Sequence, residues 1–533
     1  MCLFSYIRKV LLQLKIAKEN NAEKNAPGSR PESSISHDLK ENVAVIKKIL
    51  NNSSDIVICE FVFGQKTQIH AALIFIDGLV EKTTVNQSII KPLMYDSRLF
   101  FSEEDYKTDL ECIKSTLLTV GDSIKVSSIS KLIEYCMTGD VILLIDGLTE
   151  ALVINAKAWE TRGVEEPQTE NVVRGPREGF TETLRVNTSL LRRKIRNPDL
   201  IFETMKIGSK TKTDVCIAYL KGVINPKIID ELRLRLSRIK TDAILESGYI
   251  EQYIEDAPYS IFPTVANSEK PDVIAAKILE GRAAILVDGT PFVLTVPMLF
   301  VESFQSAEDY YSRYIFASII RTLRFLSYLI TVLAPAIYMV LLTYHQEMIP
   351  TPLLFTLAAS EEGLPFPTFL EMSVMLVVFE ILREAGVRMP RPVGQAISIV
   401  GALVIGQAAV AAGIVSDFTV IVIAITAVSS FVVTAQTDSA IILRYILFIL
   451  GGLMGGFGII IGLIGAMIYL ASLRSFGTPY LSPLAPLVPS DLKDVFVRSP
   501  LWAMHERPRD LRTVDVKRQA DGLKPSPPKE NQQ

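Results

Sequence analysis

The sequence predicts a duplicated pair of cytosolic α/β domains followed by an all-α polytopic transmembrane bundle. Three observations lead there. Lysine is absent between Lys277 and Lys493 and frequent on both sides. Three short apolar runs end in the same turn, at Asp77-Gly78, Asp146-Gly147 and Asp288-Gly289. From Phe325 onward, apolar stretches recur at about 20 residues, the length that crosses a hydrocarbon core.

The averages fit a chain divided between two solvents. Over 533 residues, 49% are hydrophobic and 21% charged, with a mean hydropathy of +0.30. Those values exclude a disordered chain and sit above an ordinary soluble enzyme. A net charge of −3 gives no global reason to expect nucleic-acid binding.

Residues 1–41 read as an N-terminal amphipathic segment and linker. Leu3, Phe4, Ile7, Leu11 and Leu14 mix with Arg8, Lys9, Lys15 and Lys18, without the apolar core of a signal peptide. A helix lying on a membrane surface and a helix packed on the next domain both fit. Five scattered cysteines without CxxC spacing argue against a disulfide framework, and four isolated histidines lack metal-ligand spacing. The expectation is therefore no cofactor and no metal.

The cytosolic domains are expected at 42–180 and 181–313, with the duplicated cores at about 42–165 and 200–305. Asp-Gly between two β-prone runs predicts a two-residue hairpin, because both residues tolerate positive φ. A fourth run ends in Lys221-Gly222, and 69 residues separate Asp77 from Asp146 while 67 separate Lys221 from Asp288. Helical stretches intervene, most clearly Pro226–Arg238. Turn chemistry accounts for the aspartates. Phosphate loops, a nucleophile elbow and kinase signatures are missing, so no enzyme is expected. The basic cluster Arg174–Glu182 and Arg192–Arg196 reads as a solvated linker or an ion-pair patch.

The transmembrane domain is expected at 314–474. Its segments are Phe325–Tyr344 with Pro335 as a kink, Pro350–Ser360, Pro367–Glu384, Pro392–Ser416, Phe418–Thr434 and Ala440–Leu473. Pro350–Ser360 is too short to span. Arg313, Arg321 and Arg324 before the first span, and Arg383, Arg388 and Arg391 later, place the N-terminal domains in the cytosol. The Pro-rich tail, 475–533, then belongs on the same side and demands an even number of crossings. Five spanning segments do not satisfy this. Either Ala440–Leu473 turns back on itself, or the segment bearing Glu371 and Glu380 is not a full span.

Several side chains there could carry function. Glu371 and Glu380 are intramembrane acids on opposite sides of a helix, candidates for gating or for an interfacial ion pair. Thr426, Ser430 and Thr434, with Thr419, form a polar stripe that either lines a pathway or bonds a neighbouring helix. Gln395, Ser398, Ala402, Gly406 and Gln407 lie on a small-residue, uncharged segment suited to a pore. Gly451, Gly455, Gly458 and Gly462 form small-xxx-small patterns for tight packing or for a hinge.

These residues carry a resemblance. Arg174–Glu182, Glu246-Ser247-Gly248-Tyr249, Glu280-Gly281-Arg282, Val287–Pro291, His345–Pro350, Glu380–Gly386, Gly401–Val410, Ser475–Tyr480 and Arg507-Pro508 resemble the A subunit of GerA-type spore germinant receptors. The likeness covers about 170–510, and more loosely reaches back to about 40. The chain departs from that pattern at Ser360-Glu361-Glu362, where an arginine commonly follows the serine, and at Asp417, where proline is common.

The resemblance implies a receptor subunit in the inner membrane of the dormant spore, acting with B and C subunits and triggered by small nutrients. It also implies a homo-oligomer, a ring such as a pentamer, that conducts monovalent cations. A non-conducting scaffold and a transporter-like subunit are the alternatives. A transporter would often carry an inverted membrane repeat, and none is visible here.

Overall fold

The computed structural model describes residues 34–64, 68–96, 110, 123–158, 167, 170, 172–388, 404–520 and 522–526. They divide into two compact units, one running to residue 159 with 196–198, the other holding 160–195 and everything from 199.

The first unit is one α/β sheet domain. Its elements are α1 (Leu39–Ile49), β1 (Ile56–Phe63), β2 (Ile69–Ile76), β3 (Ser123–Val126), α2 (Ile129–Met137), β4 (Val141–Ile145) and β5 (Ala151–Ile154). The strands pair antiparallel in the order β1-β2-β4-β5-β3. β4 and β5 are buried along their whole length, which explains their unbroken apolar runs. One sheet face takes the apolar stripes of α1 and α2, through Leu39, Val43, Ile46, Leu132 and Cys136. The other is covered by Val85, Ile89 and Leu93 of the helical stretch that begins at Lys82.

The second unit opens with the same domain again: α3 (Leu184–Lys194), β6 (Leu200–Ile207), β7 (Thr213–Leu220), α4 (Pro226–Arg238), α5 (Ser247–Ile254), β8 (Ala266–Ser268), α6 (Pro271–Leu279), β9 (Ala283–Val287) and β10 (Val293–Val296). Its strand order, β6-β7-β9-β10-β8, repeats the first sheet. The repetition extends to single hydrogen bonds. Asn42 accepts from Ser36 N at 2.8 Å and donates to Ser36 O at 2.6 Å. Asn187 does the same with Thr181, at 2.8 and 2.6 Å.

The turn expectation is corrected here. The Asp-Gly pairs do not form two-residue hairpins. β4–β5 and β9–β10 are joined by five residues, 146–150 and 288–292, and Asp77-Gly78 leads out of the sheet into a crossover. At β4–β5 and β9–β10 the physical reason is that the aspartate caps a helix N-terminus. Asp146 Oδ1 accepts from Leu39 N at 3.1 Å, and Asp288 Oδ1 from Leu184 N at 3.0 Å. The glycines supply the left-handed residue that bends the chain back, at φ +84° and +94°. In the basic cluster the ion-pair alternative holds over the solvated linker, with Arg193 and Lys194 reaching Glu178 at 3.2 and 3.6 Å. Arg192 lies on α3, is buried, donates to Leu200 O at 3.0 Å and sits 4.9 Å from the Phe202 ring centre.

An apolar helical domain follows in the same unit: α7 (Tyr314–Thr343), α8 (Thr351–Glu361), α9 (Thr368–Arg388), a helical stretch at 404–411, α10 (Asp417–Ser430) and α11 (Thr437–Ser472). The α7 helix and the stretch Thr434–Ser472 are long and apolar enough to cross a membrane, with mean hydropathies of 2.2 and 2.4 over their most apolar windows. Pro335 is accommodated within α7. The core lies where Val332, Ala336 and Met339 of α7 meet Met372 and Leu376 of α9 and Leu447 and Phe448 of α11.

α11 is not a straight rod. Gly455 has φ 60° and ψ −146°, outside any helical geometry. A Cβ on Gly458 would overlap the Leu450 carbonyl oxygen, and one on Gly462 would overlap Leu447 Cδ2. In a straight helix Leu447 and Gly462 would stand about 22 Å apart along the axis, at 1.5 Å per residue. The two legs, 437–454 and 456–472, therefore run antiparallel. Of the two possibilities left open by the sequence, the run turns back on itself.

The C-terminal residues are not a free tail. Ser475 Oγ donates to Thr264 O at 2.6 Å, Val514 N to Val223 O at 2.9 Å, and Arg507 Nε to Leu279 O at 2.9 Å. They strap the second α/β domain.

Candidate functional site

The second α/β domain, the first apolar helix and the C-terminal strap meet in a buried cluster of charge. Arg321 and Arg324 lie three residues apart on one face of α7. The Arg321 side chain is fully buried. Its Nη2 reaches Asp309 Oδ2 at 3.1 Å, and its Nη1 reaches Asp494 Oδ1 at 2.7 Å. Arg324 Nη1 reaches the same Asp309 oxygen at 2.8 Å. Tyr310 donates to Asp494 Oδ2 at 2.7 Å, and its ring lies between Arg321 and Arg498, at 5.8 and 5.6 Å. Burial, then the Asp494 charge, raises the Tyr310 hydroxyl well above its ordinary range, so it stays a donor.

A second ion-paired group lies behind the first. Arg282 pairs with Glu302, which also faces Lys277 at 3.4 Å and accepts from Leu299 N at 2.8 Å. Burial alone would raise the Glu302 carboxyl, but Arg282 and Lys277 override it and hold it below its usual range. Glu280, beside the same Arg282, is raised because its burial outweighs the attraction of Arg282 and Arg518. The ion pairs fasten α7 to the strap and to the segment that follows β10.

The two predicted acids contact different helices. Glu371, 2% exposed, accepts from Ser416 N at the start of α10. Ser416 Oγ in turn donates to Thr419 Oγ1 at 3.0 Å. Glu380 is paired with Arg383 at 2.8 Å and with Arg444 of α11.

The predicted pathway residues are dispersed. Gln395, Ser398 and Ala402 lie outside the described residues. Gly406 is buried, and a Cβ there would stand 3.1 Å from Val420 Cγ1, so it faces α10. Gln407, next to it, is exposed. Thr426 and Ser430 are buried, with hydroxyls donating to Val422 O and Ala427 O of their own helix at 2.7 Å each. Because α10 ends at Ser430, Thr434 does not continue the stripe and sits exposed in the following turn. Gly451 packs on Val340 Cγ2, 3.0 Å from a built Cβ, while Gly455, Gly458 and Gly462 form and close the α11 reversal.

Sequence reasoning missed Arg321, Asp309, Asp494 and Arg444 as structural residues. Arg321 stood in the sequence only as a marker of orientation, and Arg444 was not singled out. The signal available was their spacing on apolar helices, where an arginine needs a partner.

A duplicated α/β domain joined through buried ion pairs to a helical domain, two stretches of which are long and apolar enough to cross a membrane, defines the architecture. The chain belongs to the GerA family. The model of the Bacillus/Clostridium GerA spore germination protein matches residues 44–510. Spore germination protein KA of Bacillus subtilis (strain 168) is 47% identical over 495 residues, covering 92% of this chain and 90% of that protein. The uncharacterized membrane protein YfkQ of the same organism is 42% identical over 476 residues, covering 89% and 91%. Among solved structures, the N-terminal domain of the A subunit of the Bacillus megaterium spore germinant receptor GerK3 is 39% identical. It covers 51% of this chain and 99% of that one, with a TM-score of 0.40.

Proposed function

We propose that this chain is the A subunit of a spore germinant receptor in the spore inner membrane, acting with B and C subunits and conducting monovalent cations as a homo-oligomeric ring. Membership of a family of spore germination proteins carries the receptor reading. The α11 reversal supports the membrane topology. Counting α7, α9, the expected segment Pro392–Ser416, α10 and the two legs of α11 as crossings gives six, an even number that leaves both soluble parts on the arginine-rich side.

Gln407 supports a wetted or oligomeric face on this segment, which a conducting ring requires. An amide on an apolar helix, turned away from its own bundle, is costly against lipid and cheap against water or a second copy. Our reading keeps Gln395, Ser398, Ala402 and Gln407 as the pathway residues, and Gly406, which faces Val420 of α10, supports packing of that segment there. Thr426 and Ser430 support it from behind.

The test is cation release from assembled receptor on addition of nutrient. Gln407→Leu and a bulky residue at Ser398 or Ala402 should change its rate severalfold while assembly persists. Unchanged release in fully assembled receptor would remove the pathway from this segment.

A further inference from the structure

The cluster between α9 and α11 is one negative charge short. Arg383 Nη2 holds Glu380 Oε2 at 2.8 Å, and Arg444 takes the other oxygen of the same carboxylate. The next acid along α9, Glu384, is engaged by Arg388. Two guanidinium groups therefore share one carboxylate. The Arg444 side chain is fully buried, with its Cζ 5.4 Å from the Tyr445 ring centre. Its Nε and Nη1 have no hydrogen-bond acceptor among the described residues. A buried guanidinium with unmet N–H groups carries the full desolvation penalty of those groups, so an acceptor is called for.

Depth narrows what that acceptor is. Gln436, at the foot of the same leg, donates to Ser303 Oγ at 2.8 Å and to Tyr480 Oη at 3.2 Å, residues flanking the α/β domain. Arg444 lies eight positions further along, about 12 Å at 1.5 Å per residue. Arg383 stands five positions from the end of α9 and is 22% exposed. On the membrane topology proposed above, on which this inference rests, the cluster lies in the cytosolic half of the bilayer with Arg383 at its lip.

We propose that Glu380, Arg383 and Arg444 form a binding site for one anionic phosphate group, from a phospholipid headgroup or from a soluble phosphate ester. Guanidinium groups make strong charge-assisted hydrogen bonds to phosphate. Basic pockets between membrane helices on the cytoplasmic side are suited to anionic headgroups. The phosphate contacts Arg383 at the surface, and its oxygens take the free donors of Arg444 behind it. The bound anion supplies the missing charge and ties α9 to the first leg of α11.

The test uses the full-length chain in detergent, titrated separately with phosphatidylglycerol, phosphatidylcholine and glycerol phosphate. Bound molecules are counted by native mass spectrometry. Both lipids carry a phosphodiester, but only the first is a net anion. One retained phosphatidylglycerol is expected, with affinity falling at least about tenfold in a Glu380→Gln/Arg444→Gln double variant. That variant removes the unmet donors of Arg444 together with the carboxylate they face and leaves an amide oxygen at position 380 within reach of Arg383, so it tests those donors at unchanged cluster charge. Displacement of the lipid by glycerol phosphate would identify a soluble ester as the source, and resistance to it a headgroup. Equal retention of both lipids, or unchanged retention in the double variant, would overturn the site. A receptor that conducts cations while ignoring phosphate class would sink this inference and leave the channel reading intact.

Discussion

Arg321 and Asp494 lie 173 positions apart and meet at 2.7 Å, one on the first apolar helix and the other on the strap that follows the last. The contact fastens both ends of the helical domain to the second α/β domain, because Asp309 and Tyr310 share the same two side chains. Breaking a buried pair from one side leaves an uncompensated charge. Asp309→Asn, which removes the carboxylate that Arg321 and Arg324 share and leaves Arg324 without one among the described residues, should destabilise the chain by about 3 kcal/mol or more. Replacing Arg321 and Asp494 together by Met and Leu should cost less than either single change, since well-packed apolar residues often substitute for a buried pair. Thermal unfolding of the purified variants measures both. A double replacement worse than each single would show that the charges are needed for more than pairing.

Asp146 and Asp288 make the same cap in two copies of one domain, so their loss should be matched. Asp146→Ala and Asp288→Ala should each cost about 1 kcal/mol, and the asparagine variants clearly less, because the amide oxygen can still accept the helix N–H. Unequal penalties by thermal denaturation would mean that the copies no longer use the turn alike.

The duplication was legible because Asp-Gly after an apolar run marks both copies and the spacing repeats. The caps were not, since a cap depends on a helix over 100 residues earlier in the chain. The same limit applied to the helical domain. An apolar run of 34 residues from Ala440 to Leu473 reads equally as one long helix or as two legs. Only Gly455 at positive φ, with Gly458 and Gly462 admitting the returning leg, decides between them. Glu380 and Arg383 were visible as neighbours. Arg444, 64 positions from Glu380, was not, because apolar helices give no periodic signal for which faces meet.

The α11 reversal makes its own prediction. A methyl group on Gly458 has no room beside the Leu450 carbonyl, which is backbone and cannot swing aside. Gly458→Ala should destabilise the chain by about 1–3 kcal/mol, the range for overpacking. Gly465 has nothing within 4 Å of a built Cβ, so Gly465→Ala is the neutral control. Equal thermal stability of the two variants would argue that the legs do not pack as described.

Glu251 makes the stability of the second α/β domain depend on pH. Burial first, and then the charges of Glu255 and Glu246, push its carboxyl from the ordinary 4.5 to about 7. Glu246 on the same turn goes the other way, because Ser247, Gly248 and Thr290 donate to it and outweigh its burial. With the folded value of Glu251 above the unfolded one, the folded state holds more protons between those two values. Stability from this group therefore falls as pH rises from 4.5 toward 7, and the whole penalty is present above 7. Glu251→Gln removes the titration. The variant should melt higher than the unaltered protein at about pH 8, with the gap closing as pH approaches about 5. A gap that is constant across that window would show that Glu251 does not titrate in the fold.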